Sequence, residues 1–162
     1  MENKNKLQQA AFGMGCFWES EEVFRTVKGV KEAMVGFMGG TVENPSYEEV
    51  SMKDTGHAEV VHLTYDSGEV SYEEILRVFW EHHDPTTLNR QDPDVGSQYR
   101  SAIFFYNEDQ KAKAEKAKAE LEQSGKWKDP IVTEIVPAGE FYKAEEHHQR
   151  YLQKRGLKTC RA

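Results

Sequence analysis

Short apolar runs rich in β-branched residues alternate with strongly capped amphipathic stretches along this 162-residue chain. That alternation predicts an α+β fold. The first six elements run β-α-β-β-α-β, the split βαβ order of a ferredoxin-like two-layer α/β sandwich. Additional helix and strand elements and a polar tail follow toward the C-terminus. The length suits one domain over 1–162, with 153–162 as a mobile tail.

The elements follow in order from local signals. Residues 8–13 (QQAAFG) read as a strand running into Gly13 and Gly15. Cys16 to Lys28 reads as a helix, because Phe17, Phe24 and Val27 share helical spacing and Gly29 sits at a C-cap position. Residues 30–38 (VKEAMVGFM) form the second strand, closed by Gly39-Gly40, and a polar loop with an Asn44-Pro45-Ser46 turn follows. His57 to Asp66 is the third strand, with His57, Glu59, Val61, Leu63 and Tyr65 on one face. Ser71-Tyr72-Glu73-Glu74 is a capping box, and Tyr72, Ile75, Leu76, Phe79 and His83 make the apolar stripe of the helix it opens. That helix ends before Pro85. Residues 84–99 show no periodicity, and a structureless loop of that size is usually functional or disordered. Residues 100–106 (RSAIFFY) are a strand. Asn107 caps the next helix and Gly125 ends it. A strand over 131–136 and a helix over 143–153 complete the series.

Composition excludes several classes. Eight Phe, seven Tyr and three Trp argue against disorder. No run of about 18 apolar residues is present to span a membrane. The opening MENKNKLQQ lacks the apolar stretch of a signal peptide. With 28 Asp+Glu against 21 Lys+Arg, the net charge of −7 disfavours a nucleic-acid binder. The only two cysteines, Cys16 and Cys160, make neither a disulfide scaffold nor a C-x-x-C metal site. The expected location is the reducing cytoplasm.

Cys16 stands at a strand–glycine–helix junction, between Gly13-x-Gly15 and the aromatic pair Phe17-Trp18. A thiol at a helix N-terminus is favoured as thiolate by unpaired N–H groups and the dipole. Phe17 and Trp18 would form an apolar wall beside it. A buried inert cysteine fits the same pattern. Glu59 lies mid-strand among apolar neighbours. It is an acid of raised pKa if that face is buried, and a surface carboxylate if the other face is. Tyr47, Asp94 and Tyr99 lie in loop-like segments, where the hydroxyls could donate hydrogen bonds and the carboxylate orient a partner. Taken alone, each of the three suits a structural role better, as a core tyrosine or as a solvated or turn-capping Asp. The pairs His82-His83 and His147-His148 are poor metal sites, since helix neighbours face apart. Cys160, in the tail, is either a resolving thiol for an oxidised cysteine or a residue with no role.

Taken together, six segments resemble one family. They are Gly15-Cys16-Phe17-Trp18, the stretch from Asn44 to Val50, Thr55 to Val60, His83 to Gln91, Asp94 to Ser101, and Phe141-Tyr142-x-Ala144-Glu145-x-x-His148-Gln149. In this order they resemble the A-class peptide methionine sulfoxide reductases, which reduce the S epimer of methionine sulfoxide. The resemblance implies that Cys16 is the nucleophile, that Phe17 and Trp18 hold the substrate methyl group, and that Glu59 protonates the sulfoxide oxygen. It further implies that Tyr47 and Tyr99 donate to that oxygen, with Asp94 in support. Cys160 would resolve the oxidised Cys16, and thioredoxin or another dithiol would reset the pair, with no metal or organic cofactor. Glu19 departs from the glycine many relatives carry after this Gly-Cys-Phe-Trp segment, and it brings negative charge toward Cys16.

The expected function is thiol-dependent reduction of methionine-S-sulfoxide, protein-bound or free, by a monomer. The other readings are a non-catalytic module binding apolar peptides, which predicts an ordinary unreactive thiol, and a His/Cys metal protein, which predicts bound metal.

Overall fold

The computed structural model describes residues 6–157. It is a mixed α/β fold with a central mixed sheet and five α-helices among the described residues. The elements are β1 (Leu7–Met14), α1 (Phe17–Arg25), β2 (Val30–Met38), α2 (Tyr47–Met52), β3 (Ala58–Asp66), α3 (Tyr72–Glu81), β4 (Arg90–Gln91), β5 (Asp94–Val95), β6 (Ser101–Phe105), α4 (Glu108–Ser124), β7 (Glu134–Pro137), β8 (Tyr142–Lys143) and α5 (Tyr151–Lys154). No described helix is long and apolar enough to cross a membrane.

The six-stranded sheet runs β7-β6-β1-β3-β2-β8, and β4 with β5 forms a separate hairpin. The pairs β1–β3, β1–β6 and β2–β3 are antiparallel, whereas β7 adds to β6 in parallel. On one face Phe24 of α1, Ile75, Leu76 and Phe79 of α3 and Ala114 of α4 pack over Phe12, Val61, Leu63 and Ile103. On the other, Ala11, Val60, Ala102 and Phe104 are covered by Tyr106, Ala138 and Phe141.

This two-sided cover corrects the reading of β3. One buried face was expected, but Ala58 to Leu63 are all buried, because β3 is flanked by β1 and β2 and covered above and below. Such a strand reads as a continuous apolar run rather than an alternation.

At the centre of the larger core, the Phe12 ring stacks on Phe79 at 4.9 Å, Phe24 at 5.6 Å and Tyr72 at 6.3 Å. Removing it leaves a cavity that three surrounding rings cannot collapse into. Phe12→Ala is expected to lower stability by about 3–5 kcal/mol, read as a shift of the urea midpoint at unchanged slope.

The capped helices form where the sequence places them. Ser71 and Glu74 make the reciprocal capping box of α3, and Asn107 accepts from the Gln110 amide at the start of α4. Five segments differ from expectation. α1 ends at Arg25 rather than Lys28, since Val27 and Gly29 turn the chain back into β2. The polar loop after β2 contains α2, opened by a second capping box of Ser46 and Glu49. The loop 84–99 folds into the β4/β5 hairpin and a 3-10 turn at Ser97–Tyr99. The strand expected at 131–136 pairs only from Glu134, because Ile131 turns into the core and the Val132 amide bonds Pro85 O.

The helix expected over 143–153 is largely absent. Tyr142 and Lys143 pair with β2, Glu146–His148 forms a 3-10 turn, and Arg150 takes a left-handed φ of 53°. Long-range bonds decide this. The Gln149 amide accepts from Val35 N–H and donates to Val35 O, and the Glu21 carboxyl accepts the Arg150 N–H. Within the expected tail, Gln153 and Lys154 belong to α5; Cys160 lies outside the described residues.

Candidate active site

Cys16 is the N-cap of α1, reached directly from the end of β1. The junction needs Gly15, whose φ is +99° and whose added Cβ would sit 2.9 Å from the Gln91 side chain. The Cys16 carbonyl takes the first helical bonds, from the amides of Glu19 and Ser20. Cys16 is half-exposed and lines a cleft of about 310 Å³, together with Glu19, His83, Asp84, Gln91 and Asp94.

The Phe17 amide, an orphan donor of the helix N-terminus, donates to Glu59 Oε1 at 3.2 Å. Nucleophile candidate and acid candidate therefore share one helix end. Glu59 is 1% exposed, and its Oε2 is buried with no hydrogen-bond partner. Burial pushes its pKa up to about 8; the Phe17 bond opposes the shift, and the Asp94 charge adds to it. The carboxyl is thus protonated at neutral pH. With Oε1 accepting from Phe17, Oε2 is the oxygen left to carry the proton.

Tyr47 and Tyr99 complete the cluster. Burial raises the Tyr47 hydroxyl to about 12, and the Glu59 and Cys16 charges reinforce it. Burial likewise raises Tyr99, with Glu59, Tyr47, Asp94 and Cys16 acting on it. Both phenols stay protonated donors across physiological pH. Tyr47 is placed by the α2 capping box. Tyr99 is placed by Arg100, which donates to Ser97 O at 2.9 Å and to Gly56 O at 3.0 Å, tying its turn to the approach of β3. At that approach, His57 Nδ1 accepts the Gly40 amide, which leaves Nε2 to donate to Val42 O at 2.7 Å.

An aromatic box adjoins the thiol. Phe17 is fully buried, with Phe37 at 5.6 Å and Tyr47 at 5.9 Å. Trp18 is half-buried, stacks on Tyr151 at 3.8 Å and donates from Nε1 to His148 Nδ1 at 3.2 Å. The His148 ring lies 4.3 Å from Tyr47.

The structure brings Cys16, Glu59, Tyr47, Tyr99, Asp94, Phe17 and Trp18 into one neighbourhood. It adds residues to which sequence reasoning attached no role: His148, Tyr151, Gln91 and Arg100. Gln91 meets the Gly15 junction only through the fold, from 76 positions away. His148, Tyr151 and Arg100 likewise depend on contacts between distant segments. A further chain runs beneath the cleft from Thr133 through Ser101 to His83, with oxygens and ring nitrogen 2.7 Å apart. Burial drops the His83 pKa to about 4, so the ring is neutral. Nδ1 must donate to Phe79 O, and Nε2 accepts from Ser101. Among the described residues no group of three or more His, Cys, Asp or Glu side chains is arranged to hold a metal ion.

Comparison with known proteins gives the family of the chain. The family model described as peptide methionine sulfoxide reductase matches residues 8–162. A peptide methionine sulfoxide reductase MsrA of Methanoculleus marisnigri is 58% identical over 161 residues, covering 99% of this chain and 98% of that protein. The crystal structure of reduced Mxr1 from Saccharomyces cerevisiae is similar with a TM-score of 0.88 and 33% identity, covering 96% of this chain and 90% of the other. Mxr1 in complex with Trx2 shares the fold at a TM-score of 0.64 and 24% identity, over 93% of this chain and 88% of that one. With the match spanning nearly its whole length, the chain belongs to the peptide methionine sulfoxide reductase family.

Proposed function

We propose that this chain is a peptide-methionine (S)-S-oxide reductase that converts methionine-S-sulfoxide, protein-bound or free, to methionine at Cys16. The observation that carries the mechanism is the buried Glu59 carboxyl, whose Oε1 bonds the helix terminus that also bears Cys16, whose Oε2 is uncommitted, and whose pKa burial raises to about 8. The Cys16 sulfur attacks the sulfoxide sulfur. As the S–O bond weakens, charge gathers on oxygen, Glu59 supplies a proton there, and the Tyr47 and Tyr99 hydroxyls stabilise it by hydrogen bonds. Asp94 helps keep Glu59 protonated. Trp18, backed by the buried Phe17, receives the methyl group. Methionine leaves and Cys16 becomes a sulfenic acid. Cys160 condenses with it, forming a disulfide and releasing water. An external dithiol, thioredoxin in this reading, then restores both thiols. Each cycle turns one sulfoxide and one dithiol into methionine, a disulfide and water. Support for the thioredoxin step comes from the family relationship and from the Trx2 complex of Mxr1.

The same reading makes 1–162 a single catalytic domain, acting as a monomer in the reducing cytoplasm without nucleic acid or membrane. The order β6-β1-β3-β2 within the sheet supports a ferredoxin-like description of its core.

Separated sulfoxide epimers test the proposal. The S epimer is consumed with one methionine released per chain before any reductant is added, and the R epimer is left. Cys160→Ser keeps that first methionine but slows thioredoxin-driven turnover. Equal consumption of both epimers would refute the stereochemical assignment, and an unchanged steady-state rate in Cys160→Ser would remove Cys160 from the cycle.

A further inference from the structure

Glu21 lies on α1, one turn beyond the nucleophile, and is 2% exposed. A carboxyl buried that deeply needs a reason. Its Oε1 accepts the backbone N–H of Arg150 at 2.7 Å, and its Oε2 has no partner. The residue it holds is conformationally unusual, since Arg150 is a non-glycine residue at φ +53°. That left-handed turn sends the chain straight onto the active site, where Tyr151 stacks on Trp18 with rings 3.8 Å apart and 7° from parallel. Cys160 follows Tyr151 by only nine residues. The first of these residues continue α5, and the Leu157 N–H bonds back to Leu152 O, so the described stretch leaves as one short unit from a ring in contact with a residue two places from Cys16. The effective concentration of a tethered group depends on where its tether is anchored.

We propose that Glu21 is a positioning residue for the resolving half of the cycle: by accepting the Arg150 amide it keeps Tyr151 on Trp18, and so fixes the point from which the chain bearing Cys160 reaches Cys16. This rests on the reading of Cys160 as the resolving thiol. In the step concerned, the Cys160 sulfur attacks the sulfenic sulfur of Cys16. The S–S bond forms, the S–O bond breaks, and the oxygen leaves as water with the thiol and hydroxyl protons. Without the Glu21 acceptor, Arg150 relaxes out of the left-handed region, whose disadvantage for a non-glycine residue corresponds to about a tenfold change in population. Gln149 still pins the preceding residue to Val35, so the change begins at Arg150 and passes into α5.

The experiment is a single turnover of saturating methionine-S-sulfoxide without reductant, following methionine release and loss of free thiols separately. Glu21→Ala is expected to release methionine at the wild-type rate and to close the disulfide about tenfold more slowly. Glu21→Leu, which fills the buried space without an acceptor, is expected to do the same and keeps the test valid if the alanine variant folds poorly. Glu21→Gln retains an acceptor oxygen and restores the wild-type closing rate. Wild-type closing in both Glu21→Ala and Glu21→Leu, or slow closing in Glu21→Gln, overturns the proposal; so does a matching slowdown of methionine release. Cys160→Ser run in parallel separates the two claims, because wild-type thioredoxin-driven turnover in that variant overturns the resolving role of Cys160 itself, whatever Glu21 does.

Discussion

Cys16→Ser is expected to abolish sulfoxide reduction, with turnover at least about 10⁴-fold below wild type. A serine hydroxyl at the same N-cap keeps the helix start, so the fold survives. The Cys16 contribution to the helix is made by its carbonyl, which accepts from Glu19 and Ser20, and no side-chain cap bond is lost. What disappears is the sulfur nucleophile, and with it any sulfenic acid. The measurement is methionine formed per chain in the absence of reductant, one for wild type and none for the variant. Thermal unfolding of the two proteins should coincide within the error of the scan. Residual turnover in Cys16→Ser comparable to wild type would dispose of the mechanism entirely, since every step of it starts from the Cys16 sulfur.

Glu59→Gln ranks second. Loss of a general acid lowers kcat by about 10²–10⁴-fold, and its pH dependence carries the diagnosis. In wild type the carboxyl is protonated below about 8 and ionised above it, so kcat falls as pH rises through that value. Glutamine has no proton to give, and the limb assigned to Glu59 vanishes. Stability changes in a related way. A carboxyl whose folded pKa lies above its ordinary value of 4.5 favours the fold while it stays protonated. That contribution is complete below 4.5 and is lost as pH rises toward 8. Glu59→Gln should therefore flatten the dependence of stability on pH across that window while keeping the Phe17 amide bond through its own carbonyl oxygen. A variant as pH-dependent as wild type in both respects would place the acid elsewhere.

The parts of this molecule legible in its sequence are those whose causes are local. α3 and α4 carry their own caps, and the glycine–cysteine–aromatic junction declares a turn onto a helix end. α2 was missed although Ser46-Tyr47-Glu48-Glu49 repeats the tetrapeptide that opens α3 at Ser71. Six residues are too few to show a period, and only the cap could have revealed it. Glu59 posed a different problem. The choice between one buried face and the other assumed a half-exposed strand, and a central strand covered on both sides offers no such choice. The stretch from Tyr142 to Tyr151 was illegible for a third reason. Its helical propensity is overridden by partners 114 and 129 positions away, Val35 and Glu21. His148 and Tyr151 owe their place beside Trp18 to those partners, so nothing near them in the chain announces it.

The fastening of Gln149 to Val35 has one more effect. β2 is a nine-residue strand, and β8 pairs with only Gly36 and Phe37 of it. Its remaining edge would be an invitation to a strand from another molecule. At Val35 the side-chain amide of Gln149 offers a carbonyl to the N–H and an N–H to the carbonyl, as a peptide group would, and the Ala144 amide shares the same oxygen. A single glutamine imitates one rung of a neighbouring strand and closes that rung to intruders. With β8 on Gly36 and Phe37, three successive positions of the β2 edge are thereby closed to pairing with another chain.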